Sequence, residues 1–229
     1  MKIMIAGASG GIGTFLTREF DTENNQIILT YNRSKNKLYN PQYARTTVYQ
    51  CDFTKDEQVK GILDEIDRIE VLINVMGHVE NELVCRMDEG EWDRVIESNL
   101  KTVFLSCRYG IAKVVEGGHI INISSILGSM GMIGASNYVA AKGGVESFTK
   151  SFALECLHKN RVYVNAIALG YFKIGMGQNL SEQIANLIRQ QIPLKEFGEP
   201  EEISKLVKYI ISSQYLVGQV IHLNGGLRI

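Results

Sequence analysis

A doubly wound α/β fold, with a parallel sheet of about seven strands and helices on both faces, is what this sequence predicts. Three observations carry that expectation. Short, nearly continuous apolar runs recur along the chain, as strands covered on both faces require. Amphipathic helical patterns lie between them, so strand and helix alternate. The length, 229 residues, suits one large α/β unit, since such units run to roughly 200–250 residues.

The strands are expected at Lys2–Ala6, Gln26–Tyr31, Thr46–Gln50, Glu70–Val75, His119–Ser124, Val162–Ala168 and Gln219–Leu223. A long helix is predicted over Glu91–Lys113, where Trp92, Ile96, Leu100, Val103, Cys107 and Ile111 share one stripe and Asp88 and Glu91 suit an N-terminal cap. Asn137–Lys159 and Pro200–Ser213 read the same way, the latter opening on proline. Tyr31–Arg45 is irregular, with Asn40-Pro41 interrupting any helix. Tyr171–Gly198 is the other irregular stretch, and its pattern Leu180, Ile184, Leu187, Ile188 suggests a substrate lid at 171–198. With only three prolines and no low-complexity linker, residues 1–229 read as one catalytic domain.

Bulk composition narrows the partners. Hydrophobic residues make up 45% and charged residues 21%, with a net charge of −1, so neither nucleic acid nor a membrane surface is expected. The four cysteines are scattered without a C-x-x-C pair, and the four histidines lack metal spacing, so no metal site is expected. Neither a signal peptide nor an apolar span is recognisable, which points to the cytoplasm.

Two segments carry chemistry. After the first strand comes Gly7-Ala8-Ser9-Gly10-Gly11-Ile12-Gly13, then a helical pattern. Glycines permit a tight turn and close approach of a pyrophosphate to backbone N–H groups at the helix N-terminus, the dinucleotide site of a Rossmann-type fold. The glycines fit two spacings, and the turn alone does not choose between them. Further on, Tyr138-Val139-Ala140-Ala141-Lys142 sets a phenol and an ammonium on one helix face. A phenol with pKa ~10 must be brought down by roughly two to three pH units, about 3–4 kcal/mol, to exchange protons near neutrality. A unit positive charge ~4 Å away at an effective dielectric of ~20 is worth about 4 kcal/mol, so one well-placed lysine suffices. Ser124-Ser125 end the fifth strand, Ser125 thirteen residues before Tyr138, where a hydroxyl can donate to a substrate carbonyl.

These residues, together with Asp52, Asn74, Gly77, Asn99 in "ESNLKTVFL", "INISS", "VNAIALG", "IPLKEFGEPEEI" and "GQVIHLNGG", resemble the short-chain dehydrogenase/reductase family over essentially the full chain. Within it, the likeness is strongest to 3-oxoacyl-[acyl-carrier-protein] reductases. The resemblance implies that Tyr138 is the general acid, Lys142 its modulator and ribose ligand, Ser125 the carbonyl-orienting hydroxyl, and Asn99 the support of a water relay. It also implies Asp52 at the adenine, and Asn74 and Gly77 along the adenosine. The remaining cofactor contacts it implies are Gly7, Ser9, Gly10, Gly11, Ile12, Gly13, Asn32, Arg33, Ser34, Phe53, Val75, Gly170 and Phe172, besides Tyr138 and Lys142. Departures from the family pattern are Ala6 for threonine, Val75-Met76 for Asn-Ala, Leu169 for proline and Ile174 for threonine.

Ile27–Lys37 contains no acid to accept from a ribose 2′-hydroxyl, while Arg33, Ser34 and Lys35 could receive a 2′-phosphate, so NADP(H) is the expected cofactor. The reading is an NADPH-dependent reductase of a 3-oxoacyl thioester in fatty-acid or polyketide-type synthesis. A reductase or dehydrogenase of another small ketone or secondary alcohol is the alternative, and a non-catalytic nucleotide sensor a further one. Acyl carrier protein is a possible partner; Lys159 and Arg161 could receive it, although a solvated charged face accounts for them more simply. The stripes Trp92–Ile111 and Tyr138–Leu157 are core or, by resemblance, subunit interfaces of a homotetramer or homodimer.

Overall fold

The structure is a computed structural model that describes all residues except 176, 177 and 179. Its strands are β1 (Lys2–Ala6), β2 (Gln26–Tyr31), β3 (Arg45–Gln50), β4 (Ile69–Asn74), β5 (Val114–Ser125), β6 (Tyr163–Leu169) and β7 (Val220–Leu223). The helices are α1 (Gly11–Glu19), α2 (Asp56–Glu65), α3 (Glu89–Ile96), α4 (Thr102–Gly110), α5 (Ser136–Asn160), α6 (Glu182–Gln191) and α7 (Pro200–Ser212). All seven strands run parallel, in the order β3-β2-β1-β4-β5-β6-β7. This is the doubly wound, Rossmann-type sheet that the alternating pattern predicts.

Why the strands read as unbroken apolar runs is now visible. Ile3 and Ile5 of β1 pack with Val71, Ile73, Ile121 and Ile167 on the face covered by α1 and α7. Met4 and Ala6 point the other way, into a second core with Leu72, Ile120, Val164 and Val103. Alternate side chains meet different helices, and both sets are dry.

The strand order reverses between β1 and β4, which pair in register from Ile3↔Val71 to Ala6↔Asn74. Chain segments leaving their C-terminal ends diverge to opposite sides, and such a switch point opens a crevice for a ligand. Both segments singled out by sequence, Gly7–Gly13 and Val75–Gly77, begin there.

The predicted helix Glu91–Lys113 is corrected. Asp88 and Glu91 do form a reciprocal cap, with Glu91 N donating to Asp88 Oδ1 at 2.7 Å and Asp88 N to Glu91 Oε2 at 2.9 Å. The helix then breaks into α3 and α4 through a π-helical turn, Glu97–Lys101, where Thr102 N–H reaches back to Glu97 O. One extra residue per turn changes the inward face, so Val95 is buried and Trp92 remains 40% exposed. Residues 31–45 hold only a single 3₁₀ turn, Lys35–Lys37. Arg161 ends α5 in the left-handed conformation with φ +51°, a structural use of one of the two basic residues noted above.

Candidate active site

The glycine turn is built as a cradle. Gly7 has φ +91°, and a Cβ there would stand 2.9 Å from Met76 Cγ and 3.1 Å from Met76 N. Gly13 lies so tightly under the turn that a Cβ would meet Gly7 O at 2.6 Å. Gly7 N donates to Thr30 Oγ1 at 3.1 Å and Ala8 N to Thr30 O at 2.8 Å, which tie the turn to β2. Helix α1 opens at Gly10 without a side-chain cap and without an acid in its first turn. Its first N–H groups therefore face outward, an arrangement that suits a diphosphate.

A cleft of about 610 Å³ runs from this turn across the ends of β2 and β3. Gly7, Ser9 and Gly10 form its floor, and Asn32, Arg33 and Ser34 its wall beyond β2. Asp52 and Phe53 close it beyond β3, and Val75 and Gly77 beyond β4. Burial pushes the Asp52 carboxyl up, but hydrogen bonds from Thr54 N at 3.0 Å and Thr54 Oγ1 at 2.8 Å, together with Lys55 and Asn32, hold the pKa below its ordinary value. Lys37 also lines the cleft, whereas Lys35 does not. Of the three residues offered for a 2′-phosphate, Arg33 and Ser34 line the cleft and Lys35 does not.

Next to the cleft, and sharing Val75, Met76 and Gly77 with it, lies a second cavity of about 570 Å³. Here Ser125, Tyr138 and Lys142 come together with Ile12, Gly170 and Phe172. Ser125 ends β5, and its Oγ accepts from Leu127 N at 3.2 Å. Tyr138 and Lys142 lie one helical turn apart near the start of α5 and are almost fully buried. Lys142 Nζ donates to Ile123 O at 3.0 Å and stands 5.7 Å from the centre of the Tyr138 ring. Burial pushes the Tyr138 phenol up to about 12, with a Ser125 hydrogen bond pulling the other way. Burial also brings Lys142 down to about 8. To the expectation that a well-placed lysine lowers the phenol the structure adds burial, which is the leading cause at both groups and pushes the phenol up and the ammonium down.

Four expected contacts, Gly11, Gly13, Asn74 and Asn99, are absent from both cavities. Asn74 is wholly buried, donating to Asn122 Oδ1 at 2.8 Å and to Cys107 Sγ at 3.6 Å while accepting from Ser106 Oγ at 2.6 Å. As an adenosine contact it is corrected: strand alternation turns it into the α4–α5 side of the sheet. Asn99, from the π-helical turn, donates to His78 O at 2.6 Å and Val95 O at 2.9 Å and accepts from His78 N at 3.3 Å. Its Oδ1 would be 2.7 Å from a Cβ on Gly77, and Lys142 Nζ 3.5 Å, so only glycine fits between them. Gly11 and Gly13 lie behind the turn; Gly11 would place a Cβ 2.8 Å from Gly175 Cα and N, so the segment after β6 rests on the turn.

Residues that sequence reading missed are Met76, which lines both cavities, and Tyr171, which lines the second. Leu180, Ile184 and Ile188 also face the second cavity, as their spacing suggested, whereas Leu187 is 56% exposed. Residues 176, 177 and 179 of the expected lid lie outside the described residues. Four of the departures, Val75, Met76, Leu169 and Ile174, line the second cavity, and Ala6 is in the core. Cys51, Cys107 and Cys156 are buried free thiols and Cys85 is exposed. Among the described residues no group of three His, Cys, Asp or Glu could hold a metal, and no helix is long and apolar enough to cross a membrane.

Residues 7–228 match a family model described as "Enoyl-(Acyl carrier protein) reductase". The chain is 35% identical to the 3-oxoacyl-[acyl-carrier-protein] reductase FabG of Staphylococcus epidermidis, over 98% of this chain and 97% of that protein. It belongs to the short-chain dehydrogenase/reductase family. The FabG proteins of Rickettsia bellii (35% identical, 98% and 95% covered) and Aquifex aeolicus (32%, 98% and 96%) are similar relatives. Among solved structures, a dehydrogenase/reductase from Sinorhizobium meliloti superposes with a TM-score of 0.90 at 22% identity, covering 100% of this chain and 95% of that one. A double mutant of a Serratia marcescens short-chain dehydrogenase/reductase gives 0.91 at 20% identity, covering 99% and 97%. As a member of this family the protein is an oxidoreductase of the CH–OH/C=O class, 3-oxoacyl-[acyl-carrier-protein] reductase-like.

Proposed function

We propose that the protein reduces a 3-oxoacyl thioester with NADPH, in fatty-acid or polyketide-type chain building, with acyl carrier protein presenting the substrate. One observation carries this reading: the nucleotide cleft adjoins, across Val75, Met76 and Gly77, an apolar cavity in which Ser125, Tyr138 and Lys142 converge. The glycine cradle fits a dinucleotide, since the first N–H groups of α1 have no side-chain cap beside the cleft and a Cβ at Gly7, Gly11 or Gly13 would collide with atoms that shape the turn.

A nicotinamide cofactor supplies hydride to the carbonyl carbon when bound. Ser125 and Tyr138 hold the carbonyl oxygen, and the phenol delivers its proton as that oxygen gains charge. A phenol raised to about 12 is fully protonated at neutral pH, as a general acid must be. The alkoxide it meets is a far stronger base, comparable to hydroxide (water pKa about 16), so the transfer runs downhill. Lys142, brought down to about 8 by burial, is in turn a stronger acid than the phenol and returns the proton to the phenolate. Asn99 serves as a positioning residue, fixing Gly77 and His78 beside Lys142 rather than touching the reacting atoms.

Arg33, Ser34 and Lys37 would receive the 2′-phosphate, and the absence of acids from Ile27 to Lys37 supports NADPH over NADH. Leu180, Ile184 and Ile188 would cover an acyl chain, making 171–198 the substrate lid. The exposed Trp92, Phe104 and Leu154 of α3–α5 support self-association as a homodimer or homotetramer.

The test is NADPH oxidation with acetoacetyl and longer 3-oxoacyl thioesters, free ketones and an enoyl thioester, with NADH side by side. The 3-oxoacyl thioesters should be preferred, NADPH should exceed NADH, and Tyr138→Phe should lose at least about a hundredfold. A full-speed Tyr138→Phe enzyme, or a wild type equally fast with NADH, refutes the corresponding part.

A further inference from the structure

We infer that Tyr171 holds the second carbonyl of a 1,3-dicarbonyl substrate, and so selects which carbonyl meets the hydride. The inference rests on the proposed thioester reading and extends it to the half of the substrate that does not react.

Tyr171 follows Gly170 at the C-terminal end of β6 and lines the same cavity as Ser125 and Tyr138. Its position is fixed from three sides. Tyr171 O accepts from Gly198 N at 2.9 Å, and Lys173 N donates to Gly198 O at 3.0 Å. The ring stacks on Phe197 with centroids 6.0 Å apart and planes 25° apart, and the Arg189 guanidinium of α6 sits 5.7 Å over the Phe197 ring. This backbone pairing and aromatic stack leave the ring little freedom.

The hydroxyl itself has no hydrogen-bond partner among the described residues, although burial acts on it strongly enough to raise its pKa. The two phenols are also close enough for charge on Tyr171 to raise Tyr138. A neutral donor in an apolar cavity, held by its ring but not by its oxygen, is a site for an acceptor on a ligand.

The other polar groups lining the cavity are committed or peripheral. Ser124 Oγ is bonded to Glu146 Oε1 at 3.0 Å and Lys142 O at 3.2 Å, and Lys142 Nζ to Ile123 O. Asn81 and Gln191 are exposed at the rim. With Ser125 and Tyr138 assigned to the reacting oxygen, the half-buried Tyr171 is the remaining donor of the cavity lining without a partner among the described residues. A 3-oxoacyl thioester has its second carbonyl one carbon removed from the first, and a site built to bond a group discriminates strongly against analogues without it.

The test uses Tyr171→Phe, which keeps the stack on Phe197 and removes only the oxygen. Its kcat/KM for a 3-oxobutanoyl thioester of N-acetylcysteamine should fall about tenfold, or about 1.4 kcal/mol. For a 2-alkanone of matching length, measured where rate is linear in substrate, it should change less than about twofold. An equal loss on both substrates, or no loss on the thioester, overturns the role of Tyr171. A wild type that reduces the 2-alkanone as well as the thioester overturns the thioester reading and this inference with it. Thioester preference with a silent Tyr171→Phe overturns the inference alone.

Discussion

Asn74→Ala should lower the stability of this protein without weakening its grip on the cofactor. The side chain bridges β4, β5 and α4: its Nδ2 donates to Asn122 Oδ1 at 2.8 Å, and its Oδ1 accepts from Ser106 Oγ at 2.6 Å. Asn122 Nδ2 keeps its own bond to Thr149 Oγ1 at 2.9 Å, so the network is damaged at one end only. Truncation leaves Ser106 Oγ without this acceptor and Asn122 Oδ1 with only the weak donor Cys107 Sγ at 3.7 Å in a fully buried place, at about 1–3 kcal/mol each, so the loss is about 2–6 kcal/mol. For a chain of this size each kcal/mol moves Tm by roughly 2–4 °C, which gives a fall of about 4–24 °C. Thermal unfolding followed by circular dichroism reads that fall, and fluorescence titration with NADPH reads affinity, expected to change less than about twofold. A variant with unchanged Tm and tenfold weaker NADPH binding would refute the reasoning and restore Asn74 to the cofactor site.

The depressed pKa of Lys142 makes two pH-dependent effects. Reduction should slow as pH rises through about 8, where the ammonium is lost, and a rate flat from pH 7 to 9 would contradict this. Between about 8 and 10.5 the unfolded chain holds the lysine proton that the folded chain has released, so this group's contribution to stability rises with pH. Lys142→Met should accordingly be the more stable protein at pH 7, by up to about 3 kcal/mol, with the gap closing in alkali. Gly11→Ala puts a Cβ 2.8 Å from the backbone of Gly175 and should weaken cofactor binding about tenfold by lifting the segment after β6. Gly61→Ala, with nothing within 4 Å, serves as the control and should instead add about 0.5–1 kcal/mol of helix stability.

How far the sequence reached depended on whether a signal was local. Strand alternation, the Asp88–Glu91 cap, the glycine turn and the i,i+4 pair Tyr138/Lys142 depend on neighbours in the chain, so all were legible before any coordinates. The seven-stranded parallel sheet followed from them. The π-helical turn at Glu97–Lys101 was not legible, since one inserted residue leaves the average period of an apolar stripe nearly intact. Asn74 was misjudged for a related reason: its position beside the site is sequential, but the pleat turns its side chain to the other face.

Electrostatics and cavity walls belonged wholly to the tertiary structure. No spacing reports that burial drives the Tyr138 phenol up and the Lys142 ammonium down, because desolvation depends on everything packed around them. Nor does any spacing reveal Met76 between two cavities, Lys37 on the cleft wall, or a Tyr171 hydroxyl with no partner among the described residues. The chain alone determined which elements form and which reactive groups share a helix face. Folding decided which of those groups are dry, because burial is a property of the whole packed molecule.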